Sequence, residues 1–343
     1  MSKKKITVGI IGNGKSTNRY HLPYLLQRQD IYCVKTIYEG DLNCCQWPCV
    51  AGICYTNQVE DIMDDPEITL VIINTPINSH EEYALRAMDA GKSVVLETPF
   101  ALTSIQVESL FQYAKDKGVI LQAFQNRRYD SDFLTVKSMI DSGILGELYE
   151  MELCFDYYRT KVIESLRYNI NKTFLYEHGA HSVDQVVSLF GEPEHVEYDV
   201  KQLLGKGRFN DFYDIDMHYG SLKVSVKASY FRAKARPRFI VTGRNGVFIK
   251  ESGDRQEDHL KLGYMPGNKD FGQDRIEDYG TVYYYDHMEN YHEEKVRTAI
   301  GDYGRYYDNL YRYINGTDTC PVKPEETILL YRILEEGLQR LQN

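Results

Sequence analysis

The sequence lacks the features that mark membrane, secreted and nucleic-acid-binding proteins. Among its 343 residues no apolar run approaches the roughly 20 residues that a membrane helix needs, and residues 2–5 lead into a short strand instead of a signal sequence. The formal net charge is -10, and no basic stripe with interleaved aromatic residues offsets it. We therefore expect a cytoplasmic protein that neither spans a membrane nor binds nucleic acid directly.

Paired cysteines are also missing. The seven cysteines are odd in number, and Cys44, Cys45, Cys49 and Cys54 crowd together without the C-x-x-C spacing of a metal site. A disulfide framework would require a secreted protein, which the start of the sequence does not indicate. We expect these side chains to be reduced structural thiols, and we expect no metal.

The first third of the sequence alternates short apolar runs with helical patterns. Strands are predicted at residues 6–11, 31–38, 52–55, 70–74, 94–97 and 119–124. Helices are predicted at residues 22–28, 59–63, 80–90 and 104–117, with Pro23 in a first turn, Thr103 or Ser104 as an N-cap, and Gly91 and Gly118 as C-caps. Strands and helices at this spacing predict an α/β domain over residues 1–124, with a parallel sheet between two helical layers.

The pattern changes after about residue 125. Residues 212–219, 222–231 and 238–250 alternate apolar and polar side chains, which is typical of half-buried antiparallel strands, and Gly220-Ser221 and Asn245-Gly246 fit hairpin turns. We expect residues 125–343 to form an α+β domain with a large, mostly antiparallel open sheet. Its apolar face must be covered, either by helices such as residues 182–190 or by a second subunit.

The rest of the second half shows weaker patterns. Residues 256–294 have no clear period and are predicted as long loops with one strand at residues 281–285. Helices are predicted near residues 303–314 and 325–341, at the end of the chain.

A glycine-containing turn directly follows the first predicted strand. It consists of Gly12, Asn13, Gly14, Lys15, Ser16 and Thr17. The two glycines allow a sharp turn and a close approach of a pyrophosphate to free N–H groups at a helix start, although the third position, where glycine or alanine is usual, is Thr17. The position of the turn in a βαβ unit predicts a Rossmann domain that binds a dinucleotide.

Glu39 stands at the end of the second predicted strand. A carboxylate there could accept hydrogen bonds from both ribose hydroxyls of NAD and would repel the 2′-phosphate of NADP. Glu39 could also be an ordinary solvated charge in a turn, since Gly40-Asp41 follows it. We expect NAD as the cofactor, with NADP as the alternative.

Four further motifs, together with this turn, resemble the glucose-fructose oxidoreductase / inositol dehydrogenase (Gfo/Idh/MocA) family along essentially the whole chain. They are residues 74–80 (NTPINSH), 97–99 (ETP), 125–128 (QNRR) and 179–185 (GAHSVDQ). The resemblance implies a Rossmann domain followed by an open-sheet domain. It also implies hydride transfer between nicotinamide and a hydroxyl carbon of a sugar-like or polyol-like compound, and a homodimer or homotetramer formed through the sheet.

The resemblance also implies where the cofactor lies. The residues that should line it are Thr75, Pro76, Asn78, His80, Glu97, Pro99 and Arg127. Glu97 and Pro99 should shape the nicotinamide pocket, with Pro99 in the cis form.

The family motif is Glu-Lys-Pro, and its lysine helps to bind the substrate hydroxyl and to move its proton. Thr98 replaces that lysine here, and a neutral hydroxyl stabilises a developing alkoxide less than an ammonium does.

His181 is the candidate acid/base, because an imidazole titrates near neutral pH. Many relatives have an aspartate four residues earlier, where this chain has Glu177, and at that spacing the carboxylate could orient the imidazole or raise its pKa. His178, His181 and Asp184 could alternatively be read as a metal face, but residues at this spacing drift around a helix, so we expect no metal.

Three residues are predicted to contact the substrate: Tyr157 and Arg159, on a predicted strand, and Gln185.

The sequence leaves two functions open. The first is an NAD(P)-dependent oxidoreductase that uses His181, Glu177 and Thr98. The second is a nucleotide-binding or sugar-binding sensor that kept the fold but lost the chemistry, because fold and function separate easily.

Overall fold

The structure is a computed structural model that describes residues 5–42, 46–170 and 172–341. Cys44 and Cys45 lie outside the described residues, so the predicted thiol cluster is seen only in part. Cys49 and Cys54 are exposed free thiols. No described helix is long and apolar enough to cross a membrane.

The chain forms two compact units that each draw on more than one segment. The first unit extends through Asn126 and also contains residues 260–271 and 303–328. The second contains residues 127–259, 272–302 and 329–343. Two segments that the sequence prediction assigned to the second domain therefore pack with the first unit.

A six-stranded parallel sheet forms the centre of the first unit. Its strands are β1 (Ile6–Ile11), β2 (Tyr32–Tyr38), β3 (Cys54–Thr56), β4 (Leu70–Ile73), β5 (Ser93–Leu96) and β6 (Leu121–Ala123). Their order is β3-β2-β1-β4-β5-β6, and every pair is parallel. All four residues of β4 are buried, as expected for a strand with helices on both faces. The predicted Rossmann architecture is confirmed.

An eight-stranded sheet forms the centre of the second unit. Its strands are β7 (Leu148–Asp156), β8 (His195–Lys201), β9 (Phe212–Tyr219), β10 (Leu222–Ser229), β11 (Phe239–Gly243), β12 (Gly246–Lys250), β13 (Gly280–Tyr285) and β14 (Tyr291–Val296). Their order is β14-β13-β12-β11-β7-β10-β9-β8, and only β7 and β10 pair in parallel. The predicted mostly antiparallel sheet is confirmed.

The α-helices are α1 (Leu22–Leu26), α2 (Glu60–Met63), α3 (His80–Asp89), α4 (Ser104–Lys117), α5 (Ser131–Asp141), α6 (Thr160–Glu164), α7 (Ala180–Phe190), α8 (Arg255–Lys261), α9 (Gly304–Ile314) and α10 (Pro324–Gln339). Thr103 caps α4 by accepting a hydrogen bond from Gln106 N at 3.2 Å, and Gly118 ends that helix with φ +67°. Both predicted caps are confirmed.

One face of the second sheet is apolar and covered by helices. Val224 and Val226 on β10 align with Met151 and Leu153 on β7, and all four side chains are buried. Helix α7 packs on β10, and α5 packs on β11 and β12. The prediction that a helix near residues 182–190 covers this face is confirmed.

The region predicted as long loops with a single strand contains more regular structure than expected. Helix α8 occupies its start, and β14 pairs with β13 near its end. The prediction of a single strand there was wrong, because the sequence YHEEKV of β14 forms a mostly exposed edge strand and has no apolar alternation. Between these elements, the buried Lys250 Nζ donates to Asp274 Oδ2 at 2.8 Å and to Asp278 O at 2.7 Å, which holds the connecting loop to β12.

A buried ion pair links α5 to the second sheet. Arg238 Nε donates to Asp132 Oδ2 at 3.0 Å, and its Nη1 donates to Cys154 O at 2.9 Å. The guanidinium carbon lies 3.2 Å from the centroid of the Phe155 ring. Because both charged side chains are buried, removing one partner leaves the other uncompensated.

We predict that Asp132→Ala lowers the free energy of unfolding by about 3–5 kcal/mol, the usual cost of breaking a buried pair from one side. The matched control is Asp141→Ala on the same helix, where the carboxylate pairs with Lys137 at 3.7 Å and is exposed. This control should change stability by less than about 0.5 kcal/mol. Urea unfolding followed by circular dichroism measures both. A cost for Asp132→Ala no larger than that of Asp141→Ala would contradict the role of the pair.

Candidate active site

The turn after β1 depends on the missing side chain of Gly12. Gly12 has φ +105°, and a Cβ atom there would lie 2.9 Å from Asn74 O, which follows β4. The Gly12 N–H donates to Tyr38 O at 3.0 Å, and this hydrogen bond continues the pairing of β1 with β2. The turn is therefore held between the carboxyl ends of two strands. It lies where the strand order reverses, which is the usual position of ligands in open α/β sheets.

The residues after Gly12 form a rigid cradle with an open side. Asn18 Nδ2 donates to Asn13 Oδ1 at 2.9 Å and to Gly14 O at 3.0 Å. Thr17 Oγ1 donates to Gly12 O and accepts from Asn74 Nδ2, so a threonine fits inside the turn. At Gly14, in contrast, a Cβ atom would meet nothing within 4 Å. Gly14 and the exposed Lys15 thus border open space beside a helix start, which fits the pyrophosphate of a dinucleotide.

Glu39 directly follows β2. Its backbone N–H donates to Thr56 O at 2.8 Å, which fixes the position of the residue relative to β3. The side chain is half-buried, and its carboxylate forms no hydrogen bond or ion pair with the residues that the structure describes. An acceptor at this strand end fits the ribose of the adenosine half.

The segment after β4 forms a compact turn. Ser79 Oγ donates to Pro76 O at 2.8 Å and lies 2.9 Å from Thr75 Oγ1, which can donate to it, while Asn78 is exposed. His80 is only 2% exposed, and its Nε2 lies 2.7 Å from Thr75 O. Burial lowers the pKa of His80, so the ring is neutral and donates one N–H to this carbonyl. Its position supports a role in fixing the turn.

Glu97 and Thr98 follow β5, and the Thr98–Pro99 bond is cis, as predicted. Thr98 N donates to Glu97 Oε2 at 2.8 Å, and His21 Nε2 lies 3.2 Å from Glu97 Oε1. The Ser16 side chain also bonds to the carboxylate, which joins Glu97 to the glycine turn. Thr98 is half-exposed.

His21 and Tyr307 lie beside the predicted site residue Glu97, and the sequence reasoning missed both. His21 is fully buried, its Nδ1 bonds to the Tyr307 hydroxyl, and its ring lies 3.9 Å from that of Phe124. His21 and Tyr307 are far apart in the sequence, and Tyr307 lies on α9. The only signal was a histidine directly before Leu22-Pro23, in a helix that was otherwise read as apolar.

In the second unit, His181 lies in the first turn of α7 and is half-buried. Burial lowers the pKa of His181 well below its usual value, and the positive charge of Arg127 lowers it further. The neighbouring His178 is affected in the same way, its pKa falling to about 3. The carboxylate that opposes this shift at both rings is Glu257.

Glu177 does not pair with His181 as the spacing suggested. The structure shows no hydrogen bond between the two side chains, and they lie among different charged groups. Glu177 is near Lys172, and burial raises the pKa of its carboxyl. Helical spacing brought the two residues to neighbouring turns, but the tertiary surroundings of each decide its partners.

Arg127 and Gln185 are held by groups of their own unit. Arg127 Nη1 lies 3.4 Å from Asp130 Oδ2, and its Nη2 bonds to Glu257. Gln185 is buried, and its Nε2 donates to Arg127 O at 2.7 Å. Cofactor contact by Arg127 and substrate contact by Gln185 therefore stay predictions. The observed contacts show that both residues set the position of the segment in front of α5.

Tyr157 belongs to an aromatic cluster near His178. Its ring centroid lies 5.6 Å from that of Tyr230, in a stacked arrangement, and 5.2 Å from that of His178. Arg159 is exposed, with its guanidinium carbon 4.4 Å from the centre of the Tyr157 ring. Both residues follow the end of β7 and are not in the strand itself, which ends at Asp156. An aromatic surface beside a guanidinium suits a polyhydroxylated compound.

No group of three or more histidine, cysteine, aspartate or glutamate side chains within the described ranges is arranged to hold a metal ion. This includes His178, His181 and Asp184. Asp184 instead accepts two hydrogen bonds from Arg128, at 2.8 and 2.7 Å.

Two family models match the chain. One, described as the oxidoreductase family with an NAD-binding Rossmann fold, matches residues 6–125. The other, described as the C-terminal alpha/beta domain of the oxidoreductase family, matches residues 137–343. The chain belongs to the Gfo/Idh/MocA oxidoreductase family. The resemblance in the sequence motifs is thus confirmed, as is an NAD-binding domain at the N-terminal side.

Relatives in this family match almost the whole chain. Uncharacterized oxidoreductase YhhX of Escherichia coli (strain K12) is 41% identical over 336 residues, which cover 98% of this chain and 96% of the relative. The scyllo-inositol 2-dehydrogenase (NADP(+)) IolW of Bacillus subtilis (strain 168) is 31% identical over 338 residues, 97% of this chain and 93% of the relative. A crystal structure of a probable oxidoreductase yhhX has a TM-score of 0.92 at 41% identity, covering 97% of this chain and 96% of that one.

We predict different effects for alanine at Gly12 and at Gly14, the two glycines of the turn after β1. Gly12→Ala should cost more than about 1 kcal/mol of stability, because its φ and the nearby Asn74 carbonyl both oppose a side chain. Gly14→Ala should leave stability within about 0.5 kcal/mol but weaken cofactor binding roughly tenfold, because its methyl group enters the open side of the cradle. Thermal unfolding and titration of NADH fluorescence measure these effects. Unchanged NADH affinity in Gly14→Ala would place the pyrophosphate elsewhere.

Proposed function

We propose that this protein is an NAD(P)-dependent oxidoreductase that moves a hydride between nicotinamide and a hydroxyl carbon of a sugar-like or polyol-like compound. The observation that carries the proposal is the glycine turn, which approaches the Asn74 backbone at Gly12 and leaves open space at Gly14. The cofactor, when bound, supplies the hydride chemistry. The residues of the chain supply binding, orientation and proton transfer.

His181 is the proposed acid/base. A hydroxyl carbon releases a hydride readily only if the hydroxyl proton is removed at the same time. Because burial and the Arg127 charge lower the pKa of His181, its imidazole is neutral at physiological pH and can accept that proton. The same surroundings make the protonated ring a strong acid, and the nearby Glu257 carboxylate stabilises it in part.

Thr98 and Glu177 have supporting roles in this proposal. The half-exposed Thr98 hydroxyl donates to Glu97 Oε2 at 3.5 Å and would have to turn away from it to donate a hydrogen bond to the substrate oxygen. It carries no charge to stabilise an alkoxide. Burial raises the pKa of Glu177, which makes its carboxyl a better proton acceptor than an exposed one. Glu177 therefore acts as a separate polar group near the aromatic cluster, without orienting His181.

The substrate class is proposed from the relatives and the aromatic cluster together. IolW is named for scyllo-inositol, a polyol, and the partly exposed Tyr157 ring, which stacks on the buried Tyr230, offers an apolar surface of the kind that packs against the C–H faces of such rings. Arg159 and Gln185 would complete the contacts. The protein would act on a small molecule, with no nucleic acid as partner.

We further propose that the open sheet of the second unit pairs with a second copy in a homodimer or homotetramer. The face opposite the helices carries ion pairs that run across the strands, such as Lys227 with Glu152 at 3.1 Å and with Asp214 at 4.0 Å. Burial raises the pKa of Asp214 even within one chain. The same face of a second subunit would present its own alternating charges to these side chains.

A non-enzymatic role is the second candidate. Thr98 favours it, because the family lysine is missing, and so does the strongly lowered pKa of His181, because a weaker base slows proton removal. A sensor would bind the cofactor as tightly as an enzyme does. Binding therefore does not separate the two candidates, whereas turnover does.

We expect slow but measurable turnover with a panel of polyols, sugars and their keto forms, followed at the nicotinamide absorbance. His181→Ala should lower the rate by about 10²- to 10⁴-fold, and Thr98→Lys should raise it. His287→Ala, in the exposed turn between β13 and β14, is the matched control. Because the pKa of His181 is lowered and a base acts unprotonated, oxidation should persist below pH 6.5. An unchanged rate in His181→Ala would remove the proposed base, and no turnover at all would favour the sensor.

We propose that the protein prefers NAD, because the Glu39 carboxylate lies where the ribose would bind. We expect Glu39→Arg to shift the ratio of affinities for NADH and NADPH toward NADPH by roughly tenfold or more, because a guanidinium replaces a carboxylate beside the ribose. Glu108→Arg, an exposed site on α4, makes the same change in net charge and should leave the ratio unchanged. Fluorescence titration with both cofactors measures the ratio. A tight preference of the unaltered chain for NADPH would refute the role of Glu39.

A further inference from the structure

Two segments of the second unit meet beyond the ends of β7 and β10 and contain basic residues but no acidic ones. They are residues 157–163 and residues 230–238, and Tyr158 and Phe231 form a β-bridge between them. The first segment contains two basic residues and the second contains four, in a chain whose formal net charge is -10. This region therefore differs in charge from the rest of the protein.

Only part of this positive charge is neutralised. Arg236 Nε and Nη2 donate to Asp156 at 2.9 and 2.8 Å, and Arg238 pairs with Asp132 at 3.0 Å. The other four basic residues are exposed and form no ion pair with any carboxylate that the structure describes; they are Arg159, Lys161, Arg232 and Lys234. Their charges are available to a ligand.

The backbone fixes the positions of Arg159 and Arg232. Arg159 N donates to Tyr230 O at 3.1 Å, and Arg232 N donates to Tyr157 O at 3.0 Å. The Arg159 guanidinium carbon also lies 4.4 Å from the centroid of the Tyr157 ring, a cation–π contact that restricts its movement. Both arginines are thus anchored to the two tyrosines that stack on each other.

The carboxylates near these tyrosines have cations of their own. Glu257 bonds to Arg127, and Glu177 lies near Lys172. The charge of Arg159 also reaches the adjacent His178, where burial and then the charge of Arg127 lower the pKa and Arg159 lowers it further. The surroundings of the cluster therefore favour an anion.

Tyr157 adds a neutral donor to the two arginines. Burial raises the pKa of Tyr157, so its hydroxyl keeps its proton at neutral pH. This hydroxyl forms no hydrogen bond within the described ranges. It can therefore donate to an oxygen atom of a bound anion.

We propose that the surface formed by Tyr157, Arg159 and Arg232 binds a carboxylate or phosphate group of the substrate, which makes the substrate an acidic derivative of a sugar or polyol. The inference rests on the proposed function only for the reaction at the substrate hydroxyl, because anion binding at this surface needs no cofactor. Lys161 and Lys234 would attract the anion without contacting it.

The physical reason is the shape and charge of a guanidinium group. Its planar fork of N–H groups matches the paired oxygens of a carboxylate or phosphate, and such charge-assisted hydrogen bonds are stronger than those to a neutral hydroxyl. Because both arginines are exposed, each contact contributes modestly and is weakened by salt.

The test compares glucose, glucuronate and glucose 6-phosphate, which share a sugar ring and differ in charge. Calorimetry with the full chain, with and without NADH, measures their dissociation constants. The unaltered chain should bind at least one charged compound about tenfold more tightly than glucose, and added salt should reduce this ratio. The charged compound that binds more tightly identifies carboxylate or phosphate as the recognised group.

Variants at the two arginines locate the anion. Arg159→Gln and Arg232→Gln should each reduce the ratio about threefold, and the double variant should abolish it. Arg159→Lys should restore part of the ratio, because an ammonium keeps the charge but not the fork. The matched control is Arg244→Gln, in an exposed hairpin at the opposite end of β7, as the pairing of Gly243 with Leu148 shows. This control should leave the ratio within about twofold.

Binding of both charged compounds no tighter than that of glucose would overturn the proposal, and so would a preference that the double variant retains. Turnover, followed at the nicotinamide absorbance, tests the proposed function separately. Arginine-dependent binding of a charged compound without turnover would support the anion site and count against the oxidoreductase. Turnover of neutral compounds with no preference for charged ones would refute the anion site alone.

Discussion

The first unit is organised by the absence of a side chain at Gly12. The Asn74 carbonyl comes so close that a Cβ atom would lie 2.9 Å from it, at the carboxyl ends of the paired strands β1 and β4. Thr17 then fills the inside of the turn by bonding to both neighbours. Because the turn is packed on one side and open at Gly14 on the other, the backbone itself forms the cradle, and the side chains around it mainly hold its shape.

Elements with strong local signals could be predicted from the sequence. The buried strands of the first sheet, the Thr103 and Gly118 caps, and the helix on the apolar face of β10 each follow from a few neighbouring residues. Site contacts were harder to predict. The spacing of Glu177 and His181 suggested a pair, but the surroundings of each side chain come from other segments. His21 was missed because its partners Glu97 and Tyr307 lie 76 and 286 residues away along the chain.

Buried charge is treated differently in the two units. In the second unit, Arg127 and Arg238 stand among acidic groups, and burial with the nearby Asp132 raises the pKa of Asp254 to about 6. Burial, and after it the charge of Arg127, lowers the pKa of His178 and His181. In the first unit, burial acts to raise the pKa of the Glu97 carboxyl, but His21, Thr98 N and Ser16 outweigh it and lower that pKa. Buried groups of the second unit therefore disfavour a positive charge on the two histidines, and those of the first unit favour a negative charge on Glu97.

The contribution of residues 303–328 to the first unit affects how the protein is made. Tyr306 and Tyr307 of α9 are fully buried there, and Tyr306 donates to Ala123 O at 3.0 Å. A ribosome must therefore synthesise nine-tenths of the polypeptide before the nucleotide-binding half can complete its core. During translation this half is an incomplete intermediate with exposed apolar surface, and a fragment that ends at Asn126 would remain in that state.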